Sequence, residues 1–213
     1  MNNTKTNAGV RRQTGAGQNT KVKMMVQMAM LAAVSAILML WEVPMPFIAP
    51  TFYKVDLSEV PILIGSFAMG PLAGAVIELL KILLNFVLNG TETAGVGELG
   101  NFLVGCALVM PAGWIYQRAK TKKHAIQGMI VGILCMAAAS AVVNGMLLLP
   151  AYGKAFGMPV DAFVTMGAKI IPLIHNLTTF CLFCVVPFNL IKGIVVSMIT
   201  LVLYKHISRL LKG

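Results

Sequence analysis

An asparagine and a lysine three residues apart head the last long apolar stretch of the chain, in Pro187-Phe188-Asn189-Leu190-Ile191-Lys192-Gly193. On a helix, Asn189 and Lys192 share a face. The carboxamide donates and accepts hydrogen bonds, and the ammonium supplies three donors. A lysine near the centre of a membrane span costs roughly 2.5–3.5 kcal/mol, so it reads by default as part of a functional site. Two plainer readings stand beside that one. Asn189 can bond across to another helix, and Lys192 can snorkel to the nearer interface.

More polar groups gather towards the same end. Glu98 opens a helix and Asn144 lies near the end of another. Thr51, Tyr53 and Lys54 come from a loop. Grouped between helices, these side chains would line an outward-facing cavity for a small, flat or polyhydroxylated molecule, with apolar walls and a few placed polar groups. Each also has a local alternative: Glu98 as a carboxylate favoured at a helix start, Asn144 as an interhelical hydrogen bond. Glu78, Lys81 and Asn85 share one helix face, as an internal ion pair or as a ligand or docking feature. His175 reads as structural, because no carboxylate or second histidine stands at metal-ligand spacing from it. Cys181 and Cys184 form a C-x-x-C inside an apolar run with no second pair, which reads as buried structural thiols. H-E-x-x-H, G-x-S-x-G and G-x-x-x-x-G-K-[ST] are all missing from the sequence. The residues argue for binding and transport; no enzyme, cofactor or metal is expected.

The elements that must position these groups follow from composition. Of 213 residues, 58% are hydrophobic and 11% charged, and mean hydropathy is +0.83. Soluble domains carry about 25% charged residues, so the pattern is that of an all-α integral membrane protein. Residues 1–20 are Asn/Thr/Gly-rich and predict a disordered cytoplasmic N-terminus; residues 21–213 predict one transmembrane domain. Apolar runs predict spans over 24–41, 71–88, 98–116, 125–149 and 187–205. A short second helix is expected from Glu59 to about Met69, with Ser58 as N-cap candidate, Pro61 in its first turn and Gly70-Pro71 behind it. That gives a six-helix bundle in which the loop between helices 1 and 2 caps the cavity. Residues 150–169 read as a loop, and 170–186 as an interfacial or partly re-entrant segment.

Charge fixes the expected orientation. With both termini and the Arg118–Lys123 loop inside, that side gathers most of the basic residues and no acid, whereas Glu42, Asp56, Glu59, Glu92, Glu98 and Asp161 fall outside. This is the positive-inside pattern. It accounts for the formal net charge of +10 without nucleic acid. In the first span, Ala29, Ala33 and Ala36 form a small-residue face for internal packing or for a partner subunit.

The 187–193 run resembles the last-helix motif of the riboflavin-specific S components of energy-coupling factor (ECF) vitamin transporters. Phe52-Tyr53-Lys54-Val55-Asp56-Leu57-Ser58-Glu59-Val60-Pro61, Gly70-Pro71 and Gly90-Thr91-Glu92-Thr93-Ala94-Gly95-Val96-Gly97-Glu98-Leu99 are similar to that family too. The resemblance covers nearly the whole chain after Lys21. It implies a six-helix membrane subunit of a bacterial cell membrane that binds riboflavin from outside. By that resemblance Asn189, Lys192 and Asn144 would contact the flavin; on chemical grounds alone, Glu98 and the loop backbone suit ribityl hydroxyls. Ala29 and Ala33 would dock a shared transmembrane coupling subunit, with two cytosolic ATPases driving uptake. Riboflavin would be cargo. The competing readings are an S component for FMN or another vitamin, a non-transporting membrane assembly protein, and a membrane enzyme. The last is weakened by the missing catalytic groups.

Overall fold

A computed structural model of the chain describes residues 5–50, 53–91 and 95–211, with side chains placed for those within 19–204. The first helix, α1, spans Lys5–Met39, so the helix extends back into the polar segment expected to be disordered. Only Asn19–Met39 of it is apolar enough to cross a membrane. Four further stretches meet that requirement among the described residues: Pro71–Asn89, Val96–Ala119, Lys122–Phe156 and Leu177–Tyr204. A sixth apolar helix, α2 (Glu59–Met69), is too short to span. This is an all-α membrane architecture with a short second helix, as the sequence predicts.

The short helix is the centre of the packing. Val60, Ile62, Leu63 and Phe67 are all buried, as are the polar residues Glu59 and Ser66. Apolar all round, α2 has to lie inside the protein. It packs on α1, α3 (Pro71–Asn89), α4 (Val96–Ala119) and α9 (Val186–Leu211). Gly70 turns the chain from α2 into α3 at φ 103°, a conformation that favours glycine. Pro71 follows at the first helical position, where its missing N–H costs nothing. Ser58 holds the N-cap position, but its side chain makes no capping bond; its hydroxyl instead accepts from Lys81 at 3.4 Å.

Helices α4 and α5 (Lys122–Val143) form a tight hairpin. Gly128-x-x-x-Gly132 faces α4 so closely that a Cβ on Gly128 would lie 2.6 Å from the Ala112 carbonyl oxygen. Small residues at four-residue spacing permit such backbone approach.

The second half departs from expectation. Residues 150–169 are not a loop. The fifth helix runs on through a π turn, Asn144–Leu148, into α6 (Leu149–Phe156), and α7 (Val160–Ala168) follows. The segment 170–186 is not re-entrant throughout. Asn176 and Thr179 form a reciprocal capping box that starts α8 at Leu177, and α8 (Leu177–Phe180) passes through a second π turn, Cys181–Val185, into α9. The last helix therefore begins at Leu177, ahead of Pro187. Each π turn lies just before a proline, Pro150 or Pro187. A proline inside a helix removes a hydrogen bond and crowds the preceding turn; the wider turn absorbs both, as membrane helices allow.

The loop between α1 and α2 is tied down. β1 (Val43–Pro44) pairs antiparallel with β2 (Lys54–Val55). Ile48, Ala49, Tyr53 and Val55 join an apolar cluster with Leu149, Phe163, Ile174, Phe180 and Phe188. Cys181 and Cys184 are free thiols buried in the same cluster.

Candidate functional site

A cavity of about 500 Å³ opens where the loop, α3, α4, the fifth helix and α9 meet. That is within the range of small-molecule sites. Tyr53, Lys54, Glu98, Asn144, Asn189 and Lys192 all line it. The sequence-predicted polar residues thus converge, except Thr51, which lies outside the described residues. The apolar part of the wall comes from Met39, Val104, Met136, Leu148 and Phe188.

The local structure explains how each side chain is aimed. Asn144 sits at the start of the first π turn. Its Nδ2 donates to the Ser140 carbonyl at 2.8 Å, and its Oδ1 accepts from the Tyr53 hydroxyl at 2.6 Å. It therefore fastens the loop to the fifth helix. Burial raises the Tyr53 phenol well above its usual range, so it remains a donor at neutral pH. Asn189 follows the second π turn and donates to the Val185 carbonyl at 2.9 Å. Its Oδ1 and second N–H remain chemically available to a guest.

Lys192 does not snorkel. It is 6% exposed, and its Nζ donates to Asp56 Oδ2 at 2.9 Å. Asp56 Oδ1 accepts from the Ser58 backbone N–H at 2.8 Å. Burial works against this carboxylate, but Lys192, Lys81 and the hydrogen bonds from Ser58 and Lys192 prevail and hold it at about 2, below its ordinary 3.8. An ammonium has three donors, so Lys192 keeps capacity for a ligand oxygen while held by Asp56.

Beneath the cavity lies a second buried group. Lys81 Nζ is 3.0 Å from Glu59 Oε1 and 2.7 Å from Glu78 Oε1. The Glu78 contact is close in distance yet lies outside hydrogen-bond geometry, since both Glu78 oxygens lack a hydrogen-bond partner. Of the two readings open for Glu78 and Lys81, the internal pair is the one realised. Asn85, on the same face, lines the cavity.

Several cavity residues were not assigned from sequence: Asp56, Glu42, Asn89, Asn101 and Tyr152. Asp56 had a usable signal, because a buried lysine demands an acid and the loop offers few. At the mouth, Lys54 is paired with Glu42 at 2.7 Å. On α1, the structure divides the alanine face. Ala29 and Ala33 are exposed, but Ala36 is 2% exposed and packs inside with Ala32 and Ser35. Ala36 is therefore not exposed together with Ala29 and Ala33.

The family model described as the ECF transporter, substrate-specific component, matches residues 23–204. The chain belongs to this family. It is a multi-pass membrane S component, a transporter part and not an enzyme. Among its relatives is the Riboflavin transporter RibU of Staphylococcus aureus (strain TCH60), 32% identical over 202 residues, covering 95% of this chain and 97% of that protein. The Riboflavin transporter FmnP of Bacillus subtilis (strain 168) is 29% identical over 180 residues, covering 84% and 88%. A solved structure described as "Structure and mechanism of the S component of a bacterial ECF transporter" superposes with a TM-score of 0.71 at 30% identity, covering 91% of this chain and 99% of that one.

Proposed function

We propose that this S component binds riboflavin in the cavity under the α1–α2 loop and passes it to an ECF module. The observation that carries the reading is the convergence of Asn144, Asn189 and Lys192 on one cavity, in a chain whose relatives over most of its length are named riboflavin transporters. The chemistry fits. An isoalloxazine ring has apolar faces and a uracil-like edge of acceptors and an N–H. Asn189 and Lys192 suit that edge, and Asn144 and Tyr53 sit alongside. Phe188, Met39 and Leu148 suit the ring faces. Glu98, Asn89 and Asn101 suit ribityl hydroxyls.

The module would comprise a transmembrane coupling subunit, docked on the exposed Ala29 and Ala33, and two cytosolic ATPases. The basic distribution supports cytoplasmic termini in a bacterial cell membrane. The test is direct. Purified protein should carry flavin absorbance that is released on denaturation. Asn189→Ala and Lys192→Ala should weaken riboflavin binding measured by flavin fluorescence quenching. Equal affinity in both variants and the parent would overturn the assignment.

A further inference from the structure

At the end of the α4–α5 hairpin away from the cavity lies a groove of about 450 Å³. Tyr116 on α4 meets Tyr204 on α9 through their hydroxyls, so this end lies on the side of the C-terminus. Ile115, Ile130 and Val131 supply the apolar part of the groove; Arg118, His124 and Gln127 supply its polar head. An apolar channel with a polar head at one end of a membrane helix pair has the shape of an acyl chain joined to a headgroup.

Charge identifies the headgroup. Lys120, Lys122 and Lys123 stand within a few residues of Arg118, and no acidic residue occurs between Glu98 and Asp161. Among the described residues the ion pairs involve Lys54, Lys81 and Lys192, none of them in this cluster. The guanidinium of Arg118 lies 4.1 Å from the ring centroid of Trp114, which is 59% exposed. The ring holds the cation in place, and the guanidinium N–H groups remain donors for oxygen acceptors. Two local features hold the turn. Lys120 adopts a left-handed conformation at φ 47°. Thr121 caps α5, its hydroxyl 2.8 Å from His124 Nδ1, leaving Nε2 as the ring nitrogen for another partner.

A solvated basic loop that only sets topology would need neither the groove nor the stacked arginine. We propose that this groove is a binding site for an anionic phospholipid of the inner leaflet, with the phosphate held by Arg118 and the neighbouring lysines and one acyl chain lying along Ile115, Ile130 and Val131. Basic pockets between helices on the cytoplasmic side recognise such headgroups. The site is separate from the riboflavin cavity. It is also separate from the exposed α1 alanines, since α1 packs mainly on α2 and α3.

The chain has two tryptophans, Trp41 and Trp114, and Trp114 is at the site, so the test is optical. Full-length protein carrying Trp41→Phe is reconstituted in phosphatidylcholine bilayers containing a minor fraction of phosphatidylglycerol, with either lipid brominated in its acyl chains. Brominated phosphatidylglycerol should quench Trp114 with an apparent preference on the order of tenfold over its share of the bilayer. Arg118→Gln with Lys122→Gln and Lys123→Gln should abolish that preference, whereas Lys21→Gln with Lys23→Gln should retain it. Inorganic phosphate should not displace the lipid. Equal quenching by both brominated lipids, equal loss in the Lys21/Lys23 variant, or displacement by free phosphate would each overturn the proposal. Thermal unfolding of each detergent-solubilised variant before reconstitution reports that it is folded.

Discussion

Asp56→Asn tests the ion pair that joins the α1–α2 loop to α9. The substitution retains an oxygen for the Ser58 N–H but turns an amide donor towards the Lys192 ammonium, 2.9 Å away in the parent. Two routes give the magnitude. The drop of the Asp56 carboxyl from 3.8 to about 2 corresponds to roughly 2 kcal/mol of folded-state stabilisation. Removing one partner from a buried pair costs about 3–5 kcal/mol, because the remaining charge is stranded. A chain of this size should then melt on the order of 10 °C lower. The assay is thermal unfolding of the detergent-solubilised protein, with riboflavin titration alongside. Lys192→Met in the same background should recover much of the lost stability, since it removes the stranded charge. The pH dependence has a definite sign. A carboxyl depressed in the folded state contributes fully above its unfolded value, so this stabilisation is present above about pH 4 and vanishes as pH falls towards about 2. Near neutral pH the melting temperature should not vary with pH through this group. An Asp56→Asn protein that melts with the parent, or a double variant whose losses simply add, would refute the reasoning.

Tyr53→Phe removes the donor to Asn144 and should weaken riboflavin about two- to tenfold by calorimetric titration, the net worth of one such hydrogen bond. Lys81→Met should sharply reduce the yield of monodisperse protein, because Glu59 and Glu78 would be left buried together, whereas Glu78→Gln should be milder. Gly128→Val should lower the melting temperature, since its Cβ meets backbone oxygen and not a movable side chain. Riboflavin should bind roughly tenfold or more tightly than FMN in competition titrations, because the phosphate ends the ribityl chain and would be carried towards Glu98, while Lys54 is already matched by Glu42.

The site was legible where a polar residue interrupts an apolar run. Asn144, Asn189 and Lys192 stand out against their neighbours because lipid would reject them, and the structure gathers them on one cavity. Asp56 was harder, because an acid in a polar loop looks solvated until a buried lysine is known to face it. The spans up to α5 followed from hydropathy. The second half did not, because prolines normally end helices and Pro150 and Pro187 do not. A π turn ahead of each proline carries the helix past it, and no hydropathy window detects that change of pitch. Ala36 shares a small-residue face with Ala29 and Ala33 in the sequence, yet only the structure shows that it is buried while they are exposed, because burial depends on where along α1 the neighbouring helices pack.

The lysine and glutamate in the middle of α3 also bear on how the chain is made. A translocon that releases helices singly would have to deliver Glu78 and Lys81 into hydrocarbon, each at roughly 2.5–3.5 kcal/mol near the centre of a span. Glu59, which accepts a hydrogen bond from Lys81, arrives on α2, a helix too short to span. Biogenesis should therefore retain α2 and α3 together until they can leave as a pre-assembled hairpin.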